Sequence, residues 1–510
     1  MIAKEREILK AREIFDGMCQ FIERASEEDC RVDQVERKLF RDALQLCLAL
    51  LIAFVKGAGD GNQGKTLQRN GKQLQRLQKK RSRRYVSIFG EFSFKRYVYA
   101  VREGQKIEWV ELDAQLGMPQ GEFSYVVEDW QQKLVVKDAF GEAVQTLDDW
   151  LGVAPSVRSA EHMNRDMAQD VELFRDQQQQ SPPPSDEEGD ILVVTSDGKG
   201  VPMRRPLQQR IQELKANRPQ DPRGRKPKKK PPKNPAVKQK RLGKGQKKTK
   251  KQMAYVGAVY TIDGHLRTAD DILDEVHRRQ SQTQRPRPQH KRVRAQMTQI
   301  HEGEVFPAKP RLFAELAVEC EARDPQGKKP WICLMDGEKS LWDAQAEWFP
   351  DAVCILDLYH VLEYLWKAAH VFHKESSPEA QAFVDHYLRM LLEGKVGYVI
   401  GVFKRRLGSA DLSSTKCKTL ETVIGYYENN RARMRYDEYL AAGYPIGSGV
   451  AEGACRHLVK DRMEGTGMRW EIIGAQAMLD LRSIYLNDEW EDFLNFRIQS
   501  EQKTLYGQAA

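Results

Sequence analysis

Three carboxylates occupy positions in the sequence that suit metal-dependent chemistry. Asp197 ends the apolar run ILVVTSD, Asp336 ends the run WICLMD, and Glu452 lies one turn inside the predicted helix VAEGACRHLVKDRM. Acids at the carboxyl ends of buried strands lie at the rim of a sheet, and hard oxygen ligands of this kind suit Mg²⁺ or Mn²⁺. The three acids therefore predict a two-metal site that activates water or a 3′-hydroxyl against a phosphodiester.

The order of the elements carries this prediction, because a single Asp after a strand is more often a turn former or a helix cap. Arg456 and Lys460 follow Glu452 by four and eight residues, which places all three on one helix face. The two cations are predicted to contact DNA phosphates near the metals. The alternative is that they form ordinary surface ion pairs.

The pattern around the acids predicts an α/β protein. The strands 191–197 and 253–263 would form a hairpin with an expanded loop, and the strands 331–336 and 352–357 would each follow a helix or a turn. Helical periodicity continues from residue 359 to about residue 440. A catalytic core over 191–487, with a helical insertion at 366–442, would position the acids.

The N-terminal half is predicted to bind DNA. Residues 1–80 have helical periodicity, and residues 81–176 contain a small β element followed by helices. In the second region, Gly152 ends one amphipathic helix and Ser156 is a plausible N-cap of the next, which is the form of a helix-turn-helix or of an ordinary helical hairpin. The proline-rich and glutamine-rich segment 177–190 is a predicted linker. Residues 488–510 are predicted to be a C-terminal tail.

The stretch KGAGDGNQGKT (56–66) matches the GxxxxGK(S/T) pattern of a phosphate-binding P-loop. A working P-loop follows a buried strand and begins a helix. The run before Gly59 has a helical period instead, and no apolar helix face follows Thr66. The stretch is therefore better explained as a glycine-rich joint, with Lys65 near an arm that faces DNA.

The net charge of +9 is unevenly distributed. Residues 204–251 hold 20 lysines and arginines against two acids, a net charge of +18, which leaves −9 for the rest of the chain. This basic insertion is predicted to be disordered and to lie along phosphates, although a solubilising linker is the alternative. The predicted DNA contacts are Arg225, Lys226, Lys228, Lys229, Lys230, Lys247, Lys248, Lys250 and Lys251.

Cysteine spacing and hydropathy exclude several other classes. No CxxC motif is present among the eight cysteines, which argues against a zinc ribbon and favours reduced, mostly buried thiols. No apolar run reaches the length of about 20 residues that a membrane span needs, and the N-terminus has no secretory pattern. We therefore expect a cytoplasmic, nucleoid-associated protein without a membrane partner.

Three segments resemble the ISKra-type family of bacterial insertion-sequence transposases, and more distantly the Mutator-like and hAT-like transposases. The segments are SDGKGVPMRR, MDGEKSLWDAQAEWFPDAVCILDLYHVLEYL and YPIGSGVAEGACRHLVKDRMEGTGMRWEIIGAQAMLDLR. The likeness covers most of residues 190–490, and GDGNQG and RRYVSIFGEFSFKRYVY extend it into the N-terminal half. It implies an RNase H-like catalytic core with a helical insertion and a DDE triad of Asp197, Asp336 and Glu452.

The resemblance also bears on two residues near the second acid. Asp357 and His360 match a C/D-x-x-H motif that follows the second catalytic Asp of the related superfamilies at about this distance, so they are expected to support the site. Asp357 remains the alternative to Asp336 as the second metal ligand. Trp470 is expected to be a core aromatic residue, with stacking on a flipped base as the alternative.

These observations predict a DDE transposase that binds the ends of its element and catalyses Mg²⁺-dependent DNA cleavage and strand transfer. Its partners would be terminal repeats and target DNA, and joining two ends implies at least a dimer. The alternatives are an RNase H-like nuclease without strand transfer and a non-catalytic DNA-binding derivative.

Overall fold

The chain folds into two compact units in the computed structural model. The structure describes residues 3–179, 182–204, 251–278, 285–301, 304–409, 412–465 and 467–507. Unit 1 comprises Met1–Phe174 and Asp488–Ala510, and unit 2 comprises Arg175–Asn487.

Unit 1 begins with two long helices that pack against each other, α1 (Ala3–Glu27) and α2 (Val32–Gly57). Five short strands follow: β1 (Thr66–Arg69), β2 (Lys72–Arg76), β3 (Arg81–Ser87), β4 (Gly90–Arg96) and β5 (Tyr99–Ala100). Strands β3 and β4 form a hairpin of their own. The remaining helices of unit 1 that the structure describes are α3 (Glu111–Gln115), α4 (Tyr125–Val135), α5 (Phe140–Leu151), α6 (Val157–Ala168) and a C-terminal helix given below. A further helix, α7 (Val171–Gln179), crosses from unit 1 into unit 2.

The prediction of a helical region over residues 1–80 is wrong after α2. Strands β1 and β2 form an antiparallel hairpin, in which Asn70 and Gly71 have φ angles of 47° and 71°. An Asn-Gly pair adopts this left-handed turn readily, and the turn overrides the weak helical pattern around it. The glycine-rich stretch before Thr66 thus joins a helix to a strand, the reverse of the order in a P-loop.

The two helices and the turn between them predicted in unit 1 are confirmed, and their binding of DNA stays a prediction. Helix α5 ends at Gly152, whose φ of 65° is left-handed, and the Ser156 side chain accepts a hydrogen bond of 3.1 Å from the Ser159 amide at the start of α6.

Residues 488–510 are not a simple tail, because helix α19 (Trp490–Tyr506) packs back within unit 1. The Trp490 indole donates a hydrogen bond of 2.7 Å to Asp129, and the rings of Phe493 and Phe174 meet edge to face at 5.5 Å.

Unit 2 is built on a mixed five-stranded sheet in the order β12-β11-β6-β7-β8. Strands β6, β11 and β12 run parallel, whereas β7 is antiparallel to both β6 and β8. Two shorter strands, β9 and β10, pair with each other. The strands are β6 (Ile191–Pro202), β7 (Lys251–Ile262), β8 (Gln289–Met297), β9 (Gln299–His301), β10 (Glu304–Phe306), β11 (Trp331–Met335) and β12 (Val353–Leu356).

The other regular elements in the described part of unit 2 are helices. Its α-helices are α8 (Ala269–Val276), α9 (Ala308–Arg323), α10 (Lys339–Trp348), α11 (Leu358–Phe372), α12 (Pro378–Leu392), α13 (Val396–Ser409), α14 (Ser414–Asn430), α15 (Tyr436–Ala441), α16 (Gly449–Ala454), α17 (Asp461–Met463) and α18 (Ile472–Leu486). The prediction of an α/β protein with a helical insertion is therefore confirmed at this level.

The central strands are buried on both faces, which explains why their sequences are continuous apolar runs. The first six residues of β6 are all buried, and one core continues from the sheet into helices α9 to α15. Helix α9 crosses so close to β7 that a Cβ on Gly257 would lie 2.7 Å from a methyl group of Leu316. A glycine at this point lets the helix cover the sheet.

Three further expectations can be compared with the structure. Strand β6 does not end at Asp197 but continues to Pro202, and residues 205–250 of the basic insertion lie outside the described residues. All eight cysteines are free thiols, as expected. Three of them are buried, four are partly exposed and Cys19 is exposed, so the prediction that most are buried is wrong. Within the described ranges, no helix is both long and apolar enough to cross a membrane.

A buried carboxylate makes the stability of unit 1 depend on pH. Burial raises the pKa of Glu128 from 4.5 to about 7, although Arg497 at 2.9 Å opposes the shift. The folded chain therefore keeps a proton that the unfolded chain loses, so this stability is present below pH 4.5 and is lost as the pH rises to 7. We expect Glu128→Gln to gain up to about 3 kcal/mol relative to the parent protein between pH 4.5 and 8.

Thermal unfolding of both proteins across this pH range checks the prediction. Glu142→Gln, which alters an exposed glutamate of α5, is the matched control and should run parallel to the parent protein. If the stability of Glu128→Gln also runs parallel to that of the parent protein across this pH range, the raised pKa assigned to Glu128 is wrong.

Candidate active site

Three aspartates lie at one level across the three parallel strands. The pairing of β11 with β6 matches Trp331 to Leu192, and the same register continued brings Asp336 beside Asp197. The pairing of β11 with β12 matches Met335 to Leu356, and its continuation brings Asp357 beside Asp336. Neighbouring strands are about 4.8 Å apart, so the three residues form a row along the rim of the sheet.

The negative charge of Asp197 acts on the carboxylate of Asp336. Burial raises the pKa of Asp336, the negative charge of Asp197 raises it further, and the Glu338 amide and His360 act in the opposite direction. Asp336 Oδ1 accepts a hydrogen bond of 2.9 Å from the Glu338 amide, and Asp197 Oδ1 accepts one of 2.6 Å from the Gly198 amide. Both acids are partly exposed, so a ligand in solution can reach them.

Asp357 is fully buried and its oxygens are already committed. It caps helix α11 by accepting a hydrogen bond of 2.7 Å from the Tyr359 amide. The Ser448 amide donates to the other oxygen at 3.1 Å, and the Ser448 hydroxyl donates to that same oxygen. Burial raises the pKa of Asp357 to about 6, against these hydrogen bonds and the charge of His360. The residue therefore ties the end of β12 to the N-terminus of α16.

Helix α16 begins after Ser448 and contains Glu452 in its first turn, exposed to solvent. The charge of Glu452 raises the pKa of Asp357, so the two side chains are near each other. The helix then changes to a π-helix over Cys455–Lys460, which packs against β6. Short π segments inside helices occur frequently at functional sites.

Cys455 reaches the row of aspartates from the π segment. Its thiol donates a hydrogen bond to the Asp197 carboxylate, and burial raises its pKa further than that carboxylate does. Lys199, two residues beyond Asp197 on the same side of β6, acts on the thiol in the opposite direction. Cys455 therefore holds Asp197 through a neutral donor.

The aromatic neighbour of Asp336 requires the glycine that follows it. A Cβ on Gly337 would lie 2.3 Å from the ring of Tyr426, whose hydroxyl accepts a hydrogen bond from the Gly337 amide. The Tyr426 ring stacks on Tyr364 with centroids 3.7 Å apart, and Lys367 lies over the second ring at 3.9 Å. The space beside Gly337 is therefore occupied by this ring.

Three other residues expected at the site, His360, Arg456 and Lys460, lie in the described part of the chain. His360 is partly exposed and acts electrostatically on both Asp336 and Asp357, which agrees with a supporting position. Arg456 is 70% exposed, with Asp461 at 3.8 Å, and Lys460 is also exposed. Both therefore remain accessible to a polyanion, but the π segment replaces the regular α-helix on which their common face was predicted.

Trp470 is a core residue, as expected. Its indole donates a hydrogen bond of 3.1 Å to the Met463 carbonyl, and its backbone pairs with Met203 just beyond the end of β6. Lys251 begins β7 and forms an ion pair of 2.5 Å with Glu464. The other lysines and the arginine predicted to contact DNA lie outside the described residues: Arg225, Lys226, Lys228, Lys229, Lys230, Lys247, Lys248 and Lys250.

Sequence reasoning missed Cys455, Ser448 and Tyr426. The only available signal was for Ser448, which precedes a predicted helix and therefore resembled an N-cap. In the structure its hydroxyl donates to Asp357 instead of capping its own helix. Cys455 and Tyr426 come from distant parts of the chain, and no local pattern marks them.

The donor chemistry of the row fits a divalent cation, but its geometry is incomplete. Asp197 and Asp336 are hard oxygen donors whose mutual repulsion a bound Mg²⁺ or Mn²⁺ would relieve. Among the residues that the structure describes, however, no group of three or more His, Cys, Asp or Glu side chains lies close enough together to hold a metal ion. Glu452 is near Asp357, at the far end of the row.

Comparisons with known proteins add no family assignment. No protein-family model matches the chain, and no curated protein matches it significantly.

The tie between Asp357 and Ser448 predicts a graded loss of stability. Asp357→Ala removes a helix cap and leaves the buried Ser448 donors without an acceptor, which should cost about 2–4 kcal/mol of unfolding free energy. Asp357→Asn keeps the capping oxygen but turns an amide NH₂ toward the Ser448 amide, so it should cost less than Asp357→Ala, about 1–2 kcal/mol.

Chemical denaturation of both variants and of Ser448→Ala checks this prediction, and the double variant should show a coupling of about 1 kcal/mol or more. Asp351→Ala changes an exposed aspartate just before β12 and is the control. An Asp357→Ala protein as stable as the control would rule out the tie.

Proposed function

We propose that this chain is a DDE transposase of a bacterial insertion sequence, which binds the ends of its element and cleaves and joins DNA in a Mg²⁺-dependent reaction. The observation that carries the proposal is the row of Asp197, Asp336 and Asp357 across three neighbouring parallel strands, with Glu452 beside the last of them. Carboxylates gathered in this way at a sheet rim suit phosphoryl chemistry better than any other feature among the described residues.

The sheet supports an RNase H-like core as the finer fold. Three antiparallel strands, β6 to β8, are extended by the parallel strands β11 and β12, and the first two acids belong to β6 and the end of β11. A helical insertion separates the second acid from Glu452. This arrangement agrees with the motifs that resemble the transposase family.

Asp197 and Asp336 would hold Mg²⁺ or Mn²⁺, with Glu452 as a further ligand. A bound cation of this kind lowers the pKa of an attacking hydroxyl and neutralises charge on the phosphodiester. The chain itself fixes Asp197 through the Cys455 thiol and fixes the start of α16 through Asp357.

Exposed cations would hold the DNA against the row. Arg456 and Lys460 lie in the π segment that contacts β6, and their side chains are exposed. Lys199 lies on the same side of β6 as Asp197. Cations at these positions attract phosphates and set the register of the duplex without reading its sequence.

The reaction is tested with purified full-length protein, Mg²⁺ or Mn²⁺, and DNA that carries the sequences flanking the gene. We expect cleaved and joined products from the parent protein and a loss of about a hundredfold or more for Asp336→Asn, because an amide is a poor ligand for a hard cation. Asp357→Asn should retain weak activity, since its oxygens accept hydrogen bonds from Tyr359 and Ser448 and are not directed at the substrate.

Asp343→Asn, an exposed aspartate on α10 that pairs with Lys339, is the matched control and should be fully active. Products that are cut but never joined would favour the nuclease without strand transfer. Binding of the flanking DNA with no cutting by any protein would favour the non-catalytic DNA-binding derivative. Loss of activity in Asp357→Asn, with activity retained in Asp336→Asn, would move the second ligand to Asp357.

The salt dependence of DNA binding tests the cations separately. Arg456→Ala and Lys460→Ala should each weaken binding to any DNA sequence and should each reduce the slope of log K against log salt by about 1. Lys404→Ala, an exposed lysine of α13 that pairs with Glu428, is the control and should leave the slope unchanged. An unchanged slope in the first two variants would show that the π segment does not contact phosphates.

A further inference from the structure

The two long helices of unit 1 form an antiparallel hairpin with one internal seam. Lys56 at the end of α2 forms an ion pair of 2.7 Å with Glu7 at the start of α1, and Lys38 lies 5.4 Å from the centre of the Phe21 ring near the other end. The residues of the internal seam recur at alternating spacings of three and four in α1, and at spacings of seven, three and four in α2, which is the repeat of a coiled coil. In α1 and α2 they are Ala11, Ile14, Met18, Phe21 and Ala25, and Leu39, Leu46, Ala49 and Ala53.

A second apolar seam lies one residue further along each helix. In α1 it contains Ile8, Phe15 and Ile22, which are seven residues apart, and in α2 it contains Phe40, Cys47, Leu50 and Phe54. Several of these side chains are open to solvent, including Phe15 at 55%, Phe40 at 50% and Phe54 at 63%. Large apolar side chains at regular heptad spacing are costly to leave exposed.

The second seams of the two helices face the same side of the hairpin. A step of one residue turns a side chain by about 100° around its helix. Because the helices run antiparallel, these rotations have opposite senses and direct both seams toward one side. The pairing of Glu7 with Lys56 brings Ile8 level with Phe54, and Ile22 lies correspondingly near Phe40. The result is one continuous apolar face, about 21 Å long between residues 8 and 22.

We propose that this face, formed by the second seams of α1 and α2, is the interface through which two copies of this chain associate. The apolar face between residues 8 and 22 measures roughly 21 Å by 20 Å, or about 400 Å², and the whole side of the 25-residue hairpin measures roughly 37 Å by 20 Å, or about 700 Å². A stable protein interface needs about 800 Å² per partner and combines an apolar centre with a polar rim. This side of the hairpin therefore offers about the area and the distribution of apolar side chains that a dimer requires.

A second copy is the occupant that the pattern fits best. Two hairpins placed face to face would complete a four-helix bundle, in which heptad-spaced side chains of one copy pack between those of the other. A two-fold pair presents the same apolar residues from both sides and is self-complementary. The basic stretch 204–251, with a net charge of +18, has no comparable apolar repeat to offer.

Light scattering on the full-length protein without DNA tests the proposal. We expect twice the chain mass of 58.7 kDa at micromolar concentration, and at least tenfold weaker association for Phe15→Asp and Phe54→Asp, because each substitution places two unpaired carboxylates in the interface. Ile473→Asp changes a residue of unit 2 with the same exposed fraction of 63% as Phe54 and should remain dimeric.

A second measurement leaves every aromatic and aliphatic side chain of the face unchanged. Cys19 and Cys47 lie on the face, so a short bifunctional maleimide should cross-link the parent protein but not the Cys19→Ser/Cys47→Ser variant, whereas Cys30→Ser should still react. A monomeric parent protein, a dimer unaffected by either Phe substitution, or cross-linking that persists in the double variant would overturn the proposal. The assay contains no DNA, so its result does not depend on the proposed transposase activity.

Discussion

The main physical constraint on unit 2 is that three carboxylates lie close together at the rim of its parallel strands. Asp197, Asp336 and Asp357 lie side by side because β6, β11 and β12 share one direction and one register. Like charges at such short distances repel, and burial adds to the cost of ionising them. The fold lowers the cost of these charges in a different way for the buried acid than for the two partly exposed acids. Asp357 is buried but receives hydrogen bonds, whereas Asp197 and Asp336 remain partly exposed.

The helical insertion is attached to the sheet by polar contacts as well as by its apolar core. The hydroxyls of Tyr436 and Tyr439 donate hydrogen bonds of 2.8 and 3.0 Å to carbonyls of β12, and the Tyr427 hydroxyl donates one of 3.0 Å to Val361 in α11. Asp357 adds the contact to Ser448 where the chain leaves the insertion. The insertion therefore fixes the start of α16, and with it Glu452, relative to the sheet, although many residues separate them along the chain.

Unit 1 meets the opposite problem, since its long hairpin has more apolar surface than one internal seam can bury. A single heptad seam is sufficient to hold two helices together. The exposed phenylalanines on the second seam add nothing to the stability of an isolated hairpin and favour aggregation. Their regular spacing on both helices fits packing against another regular surface, as proposed above, and this argument is independent of any activity of unit 2.

How much could be predicted from the sequence depended on whether the signal was local. The buried strands β11 and β12, the helix start at Ser156 and the helix end at Gly152 all follow from runs, caps and turn residues, and each was predicted. The Asn70-Gly71 turn was an equally local signal that the helical pattern of the preceding residues obscured.

The row of aspartates was only half predictable. Asp336 and Asp357 were each placed at a strand end, but their alignment with Asp197 depends on the order and register of three strands, which pairing across the sheet determines. The extension of β6 beyond Asp197 is of the same kind, because its partner β7 lies beyond the basic insertion and supplies hydrogen bonds as far as Pro202. The thiol of Cys455 and the ring of Tyr426 reach the row from helices distant in sequence, so only the packed structure reveals them. Local chemistry thus identified the residues, and non-local pairing determined which of them meet.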